Sequence, residues 1–443
     1  MKKAVLINMP VRVGAQPNVV PTGVGIMASE LEYHGFDCSV IDLNVYRPVK
    51  NRDQIQDMFA ALSDNYQLVG LSGMITTLKS QQEISSLVRE RWPAACIVSG
   101  GGLASDFGEQ LFDWIPELNI VVKGEGEPHV KALASINLNG QIRMVIGPQP
   151  VSNIDQVAEV AWDKFDLDTY LSNDIWGKEA GNSSWTAFKM SRSINLISSR
   201  GCPYQCNFCD RNATGGRNYR LASPFRILND IDQVIDRFNV DFIGFLDDNF
   251  LSDRKRLGSL LPALKLRDIS WGCHARMNDV DEDLALQLRD AGCLYIGFGA
   301  ESADETVLKN MNKKHRPSQM KRAVQSCNQA GITPNCTWIM GYPGETLESL
   351  TRTVSFILEH ELSQKSMFVA TAYPGTKLFD QVKGKIQKIY PELEEYVLDL
   401  DDATKLLSSN RGILNYSEIP DEQFVALKQI VEEGRLEEII DYP

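Results

Sequence analysis

Short apolar runs rich in β-branched residues alternate along this chain with longer segments whose apolar positions recur every three or four residues. In the first third, runs at 4–8, 38–41, 68–72, 95–99 and 120–123 predict strands, and segments 23–34, 54–63, 78–92 and 108–115 predict the helices between them. Strands spaced by helices of this length form βαβ units, and hence a doubly wound parallel sheet. The pattern lapses over 136–190. Residues 137–140 read as a turn, Pro148-Gln149-Pro150 as a break, and Trp176 and Trp185 flank a loop-like stretch, so this part reads as a connector packed by aromatics. Alternation restarts at residue 191. Strands are predicted at 194–198, 241–246, 270–276, 294–300, 335–340 and 367–372, with helices at 225–238, 254–266, 281–290, 317–330 and 347–360. Six strands and five intervening helices match a partial (β/α)6 barrel. Past residue 385 come helical pieces rich in Glu and Lys, with a helix body at 424–438, expected to cover the open side of the barrel.

The expected organisation is therefore α/β throughout: a sheet domain over 1–135, a connector over 136–190, a barrel over 191–385 and a helical extension over 386–443. A chain of 443 residues is long enough for two or three domains. Its net charge of −13, with no run of Lys or Arg, argues against the basic patch that nucleic-acid binding needs, and no apolar stretch reaches membrane-spanning length. The basic-then-apolar start, Met1 to Ile7, is too short for a signal peptide and is ended by Asn8, Pro10 and Arg12. Nine scattered cysteines without such a leader fit a reducing cytoplasm better than a disulfide framework. Five of them (Cys38, Cys96, Cys293, Cys327 and Cys336) lie in apolar settings and read as small buried residues.

Cys202, Cys206 and Cys209 are different. They follow a predicted strand in C-x3-C-x2-C spacing, in a loop marked by Pro203, Asn207 and the Gly215-Gly216 pair downstream. Zinc would want paired C-x2-C motifs and a fourth Cys or His at similar spacing, which this stretch lacks. A [4Fe–4S] cluster normally takes four cysteines. Three in one loop leave one iron open to a small molecule. The loop resembles the signature of the radical S-adenosylmethionine (radical SAM) superfamily. That resemblance implies a cluster held by Cys202, Cys206 and Cys209, whose open iron chelates the methionine part of SAM. Reductive cleavage of SAM then gives a 5′-deoxyadenosyl radical that abstracts hydrogen, with the electron drawn from an external donor such as flavodoxin or ferredoxin.

Other strand ends in the barrel carry polar groups. Asp247 follows the second strand, and Gly272, His274 and Arg276 share one face of the third. Gly299 and Glu301 end the fourth, and Gly341 opens the turn after the fifth. Arg276 suits a carboxylate, Gly299 leaves room for an adenosine, and Glu301 is placed for a ribose or ammonium. The resemblance implies SAM contacts at Phe208, Asp247, Arg276, Gly299, Glu301 and Gly341. His274 faces the interior by parity and is either a proton donor, a substrate contact or a satisfied core histidine.

In the first domain small and polar residues collect at the carboxyl ends of the strands: Thr22, Gly23 and Val24; Ser72, Gly73 and Thr76; Gly100 and Gly101; and Gly124, Glu125 and Gly126. Ligands bind at such ends in open α/β sheets, and no G-x-G-x-x-G dinucleotide fingerprint is present. The arrangement resembles the Rossmann-like cobalamin-binding domain found ahead of many radical SAM barrels. The D-x-H-x-x-G motif that supplies a cobalt-ligating histidine elsewhere is absent, which implies cobalamin without a protein imidazole. The activity expected is SAM-dependent radical chemistry on a small biosynthetic intermediate, foremost cobalamin-dependent methylation of an unactivated carbon. Rearrangement, cyclisation or dehydration without methyl transfer is the rival, and an iron–sulfur redox or sensing module is the non-enzymatic alternative.

Overall fold

In the computed structural model the described residues are 2–442, apart from 12–16, 18, 64, 136–141, 173–191, 211–214, 364–366, 403–404 and 409–411. The turn expected at 137–140 and the stretch holding Trp176 and Trp185 lie outside them. The chain divides into two compact units. One comprises Met1–Tyr170, Asp210–Arg220 and Gly384–Leu406, and the other Leu171–Cys209, Leu221–Lys383 and Leu407–Pro443.

The first unit is built on a six-stranded parallel sheet of strands β1 (Lys2–Asn8), β2 (Phe36–Asp42), β3 (Leu68–Gly73), β4 (Cys96–Gly101), β5 (Ile120–Val122) and β6 (Met144–Ile146). Their order is β2-β1-β3-β4-β5-β6. The near-continuous apolar runs of β1, β4 and β5 are buried, as a sheet covered on both faces requires. Strand order reverses between β1 and β3, so the ligand crevice of such a sheet lies beyond their carboxyl ends. There Met9 donates its N–H to the carbonyl of Ser72 at 3.1 Å.

The sixth strand comes from the stretch read as connector. Met144 and Val145 are both exposed on this edge strand, so it has no alternation to betray it. The residues after it pack on the same unit: Val160 and Phe165 lie against Gly25, Trp162 is buried, and Tyr170 donates to Asp42 at 2.5 Å. The helix Leu393–Asp399, within the supposed barrel cover, also belongs here, with Gln82 donating to Glu394 at 2.7 Å.

The second unit holds a curled parallel half-barrel of six strands: β7 (Ser193–Leu196), β8 (Phe242–Phe245), β9 (Ser270–Ala275), β10 (Cys293–Glu301), β11 (Thr333–Met340) and β12 (Met367–Val369). Each strand pairs with its sequence neighbour. Five helices expected between the strands form at Pro224–Phe238, Arg254–Lys265, Glu282–Asp290, Pro317–Ala330 and Leu347–Glu359. A further short helix, Glu305–Asn310, follows β10, its first turn capped by Asp304. The helix expected at 424–438 stops at Glu433, because Gly434 takes the left-handed conformation that ends helices. Its Phe424 packs on Gly341, and the helix Glu437–Ile440 packs on Leu347–Glu359. This end of the chain therefore lies against a strand-end turn and an outer helix.

Candidate active site

The cysteine loop leaves β7 through a buried anchor. Asp247 is 1% exposed and accepts the Ser198 N–H at 2.7 Å and both the Ser198 and Ser199 hydroxyls at 2.6 Å. Arg256 lies 3.8 Å from the same carboxylate and also donates to the Ser198 carbonyl at 3.1 Å. Burial pushes the Asp247 carboxyl up, and these donors oppose it. The oxygens of Asp247, expected as a SAM contact, are thus engaged by the Ser198 N–H and the Ser198 and Ser199 hydroxyls at the start of the loop.

Gly201, at φ +80°, turns the chain into the loop. The turn after the helix Glu305–Asn310 holds the loop in place. Asn207 donates its N–H to the Met311 carbonyl at 2.9 Å and its side chain to the Asn310 carbonyl at 2.7 Å, and Asn312 donates to the Gln205 carbonyl at 2.6 Å. Cys202, Cys206 and Cys209 are partly exposed and in no disulfide. Burial pushes the Cys202 thiol up, countered in part by the Tyr204 backbone and Arg276.

Arg276, just past β9, is 6% exposed. Its guanidinium lies 3.8 Å above the ring of Tyr204, a residue of the loop itself, and Nη1 is 3.5 Å from the Cys206 sulfur. Nε and Nη2, which form the other edge of the guanidinium, are buried and have no partner among the described residues. Two parallel donors without an acceptor fit a carboxylate.

Glu301 ends β10 at φ +68°, a strained conformation for a glutamate and one that clusters at functional sites. Its carboxylate pairs with Lys313 at 2.7 Å, both side chains being 8% exposed. Lys313 in turn stands 5.6 Å over the Phe208 ring, and Phe208 meets Tyr342 edge-on at 6.3 Å. The room expected at Gly299 for an adenosine is already filled. A Cβ there would come 2.4 Å from Glu301 Oε1 and 2.8 Å from Lys313 Nζ. In the same way Gly297 makes space for the His274 ring, its partner in register on β9. Gly341, at φ +84°, packs under the Phe424 ring and donates its N–H to Glu345 at 2.5 Å.

Arg276 thus touches both Tyr204 and Cys206, and Phe208, Lys313, Glu301 and Tyr342 form a second linked set. Lys313, Tyr204 and Tyr342 were not read from the sequence. Lys313 lies in Asn312-Lys313-Lys314, which looks like a solvated charge run. His315, two residues on, bonds the Ala300 carbonyl at 3.2 Å and is pushed down to about 3 by burial, Lys313 and Arg276. It is neutral at ordinary pH.

In the first unit the glycines sort into two kinds. A Cβ at Gly23 or Gly100 would meet nothing within 4 Å. Gly73, Gly101, Gly124 and Gly126 are required by the protein itself, against Thr77, the Gly73 carbonyl, Pro148 and Met27 respectively. Thr22 opens the helix Thr22–Tyr33, in which Val24 is buried. Glu125 receives both Nη groups of Arg220, at 2.6 and 2.8 Å, and the Val151 N–H at 2.6 Å, so its carboxylate is fully engaged. Three buried polar atoms near the ends of β3 and β4 lack partners among the described residues: Thr76 Oγ1, Gln81 Nε2 and Asp106 Oδ2. Burial and Asp210 push the Asp106 carboxyl up to about 8, against Lys123. Neutral donors and acceptors of this kind fit a ligand rimmed with amides, as cobalamin is.

Residues 196–357 match the model of the radical SAM superfamily, and residues 11–134 match that of the B12 binding domain. The chain carries a B12-binding domain and a radical SAM domain. Its cofactors are accordingly a [4Fe–4S] cluster, SAM and cobalamin. Among curated relatives, an uncharacterized methyltransferase of Pyrococcus horikoshii is 25% identical over 71% of this chain and 68% of that protein. The anaerobic magnesium-protoporphyrin IX monomethyl ester cyclase of Rubrivivax gelatinosus is 22% identical over 84% of this chain and 67% of that protein. Among solved structures, the radical SAM methyltransferase TsrM from Kitasatospora setae shares the fold with a TM-score of 0.65 at 17% identity, over 88% of this chain and 79% of that one. The cobalamin-dependent radical SAM enzyme OxsB shares it at 0.59 and 20% identity, over 98% of this chain and 62% of that one. Among the described residues no helix is long and apolar enough to cross a membrane.

Proposed function

We propose that this radical SAM enzyme transfers a methyl group to an unactivated carbon of a small molecule. The observation that carries the reading is the presence, in one chain, of the cysteine loop and a B12-binding sheet whose strand ends hold unpartnered polar atoms. Several curated relatives named as methyltransferases support it. When bound, the cluster, SAM and cobalamin supply a carbon-centred radical and a transferable methyl group. Cys202, Cys206 and Cys209 hold the cluster. The Nε–Nη2 edge of Arg276 receives the SAM carboxylate, Lys313 and Glu301 fix its polar groups, and Phe208 and Tyr342 form an apolar wall beside the Gly341 turn. Thr22, Gly23, Thr76, Gly100 and Gln81 line the cobalamin site. Val24, Ser72, Gly73, Gly101, Gly124, Glu125 and Gly126 shape it from behind. His274 contacts the substrate from the barrel interior, and an external one-electron donor supplies the reducing equivalent.

The test is anaerobic purification with iron, sulfide and cobalt assays, followed by product analysis on incubation with SAM and a chemical reductant. Bound cobalamin, with both 5′-deoxyadenosine and S-adenosylhomocysteine formed, is the expected result. Deoxyadenosine without S-adenosylhomocysteine would replace this reading with radical rearrangement or cyclisation, which the cyclase among the relatives favours.

A further inference from the structure

We propose that Arg276 sets the redox poise of the iron–sulfur cluster, as the buried cation held against the Cys206 sulfur. Three observations carry this. The guanidinium is 6% exposed, Nη1 reaches the Cys206 sulfur at 3.5 Å, and Tyr204, from between two cluster cysteines, presents its ring face 3.8 Å below it. Among the described residues no carboxylate lies within 4 Å of it. Asp279, the acid whose titration it influences, hydrogen-bonds Asn249 at 2.8 Å. The other charged neighbour, Lys313, is committed to Glu301.

A buried guanidinium without an acid partner is costly unless an anion stands beside it. The Cys206 thiolate of a cluster-bearing loop is that anion, and Arg276 is held at its sulfur and over the Tyr204 ring. One-electron reduction adds a negative charge to the cluster and takes up no proton. A cation and an N–H···S bond at this distance favour the reduced form over the oxidised one, which raises the potential. The electron comes from an external low-potential one-electron donor. The loop thus carries its own electrostatic partner: Tyr204 is the platform that keeps the guanidinium on the sulfur while its opposite edge stays open to SAM.

The proposal rests on the cluster assignment and not on methyl transfer, so it is tested on full-length protein without substrate or SAM. Wild type, Arg276→Lys and Arg276→Gln are purified anaerobically, iron and sulfide are quantified, and the cluster is titrated by EPR. Arg276→Gln should keep its iron while its equilibrium for reduction falls at least tenfold, a midpoint more negative by about 59 mV or more. Arg276→Lys, which keeps the charge, should recover most of that shift. A loaded Arg276→Gln cluster with an unchanged midpoint, or a lysine variant no different from the glutamine one, overturns the proposal. Should Arg276→Gln fail to assemble a cluster, Tyr204→Leu decides in its place. It removes the platform and leaves the ligands, so a negative shift supports the proposal and an unchanged midpoint overturns it.

Discussion

Asp247 and Glu345 are both buried carboxyls in the second unit, and their neighbours treat them differently. At Asp247 the Ser198 and Ser199 donors and Arg256 oppose the effect of burial. At Glu345 only the Gly341 N–H does so, Asp304 adds its own negative field, and the carboxyl is pushed up to about 8. Its folded value therefore lies above its ordinary one, near 4.5, and the native state keeps the proton between them. The contribution to stability is full below pH about 4.5 and is lost as pH rises toward 8, by up to about 5 kcal/mol. Glu345→Gln keeps an acceptor for Gly341 and cannot ionise. Urea unfolding at pH 5 and pH 8 should show wild type losing stability that the variant retains; equal losses would mean that Glu345 is ionised in the native protein.

At the scale of the element, the end of β10 combines a register shift, a left-handed glutamate and a lysine delivered by the turn after the helix Glu305–Asn310. A buried pair of this kind is weak evidence for stability, but breaking it is expensive. Lys313→Met should cost about 3–5 kcal/mol, because Glu301 is left charged and unpaired next to Gly299. Combining it with Glu301→Gln should recover most of the loss in a denaturant titration. If the double variant is no more stable than the single one, the cost lies in packing over Phe208 rather than in the stranded charge.

On the scale of the whole molecule, both units are discontinuous in sequence. The B12-binding sheet takes Arg220 from the segment Asp210–Arg220, which begins directly after the last cluster cysteine, and a helix from Leu393–Asp399. A fragment ending at residue 170 keeps the six strands but leaves Glu125, 8% exposed, without its guanidinium. That fragment should melt several degrees below the corresponding transition of the full chain, as loss of a partner worth about 3–5 kcal/mol requires. Glu125→Gln in the fragment should restore part of the difference by circular dichroism. No effect would show that Arg220 and the late helix add little to the unit.

Five strands of the first sheet, all six of the second and the cluster loop were legible in the chain, because each is written in short-range spacing, whereas the exposed edge strand Met144–Ile146 was not. Period-2 and period-3.6 apolar patterns decide strand or helix over a few residues, and three thiols within one loop can serve one cluster wherever that loop is placed. What stands beside the loop is set by folding. Arg276 reaches Cys206 across 70 positions of sequence, Arg220 reaches Glu125 across 95, and Lys313 enters from a turn that reads as solvated. Glycine shows the same division. A sequence reports that Gly100 and Gly299 are small, but only packing reveals that one faces open space and the other is covered by an ion pair. Local periodicity carries no record of distant partners, since burial and charge pairing are properties of the folded neighbourhood rather than of the chain segment.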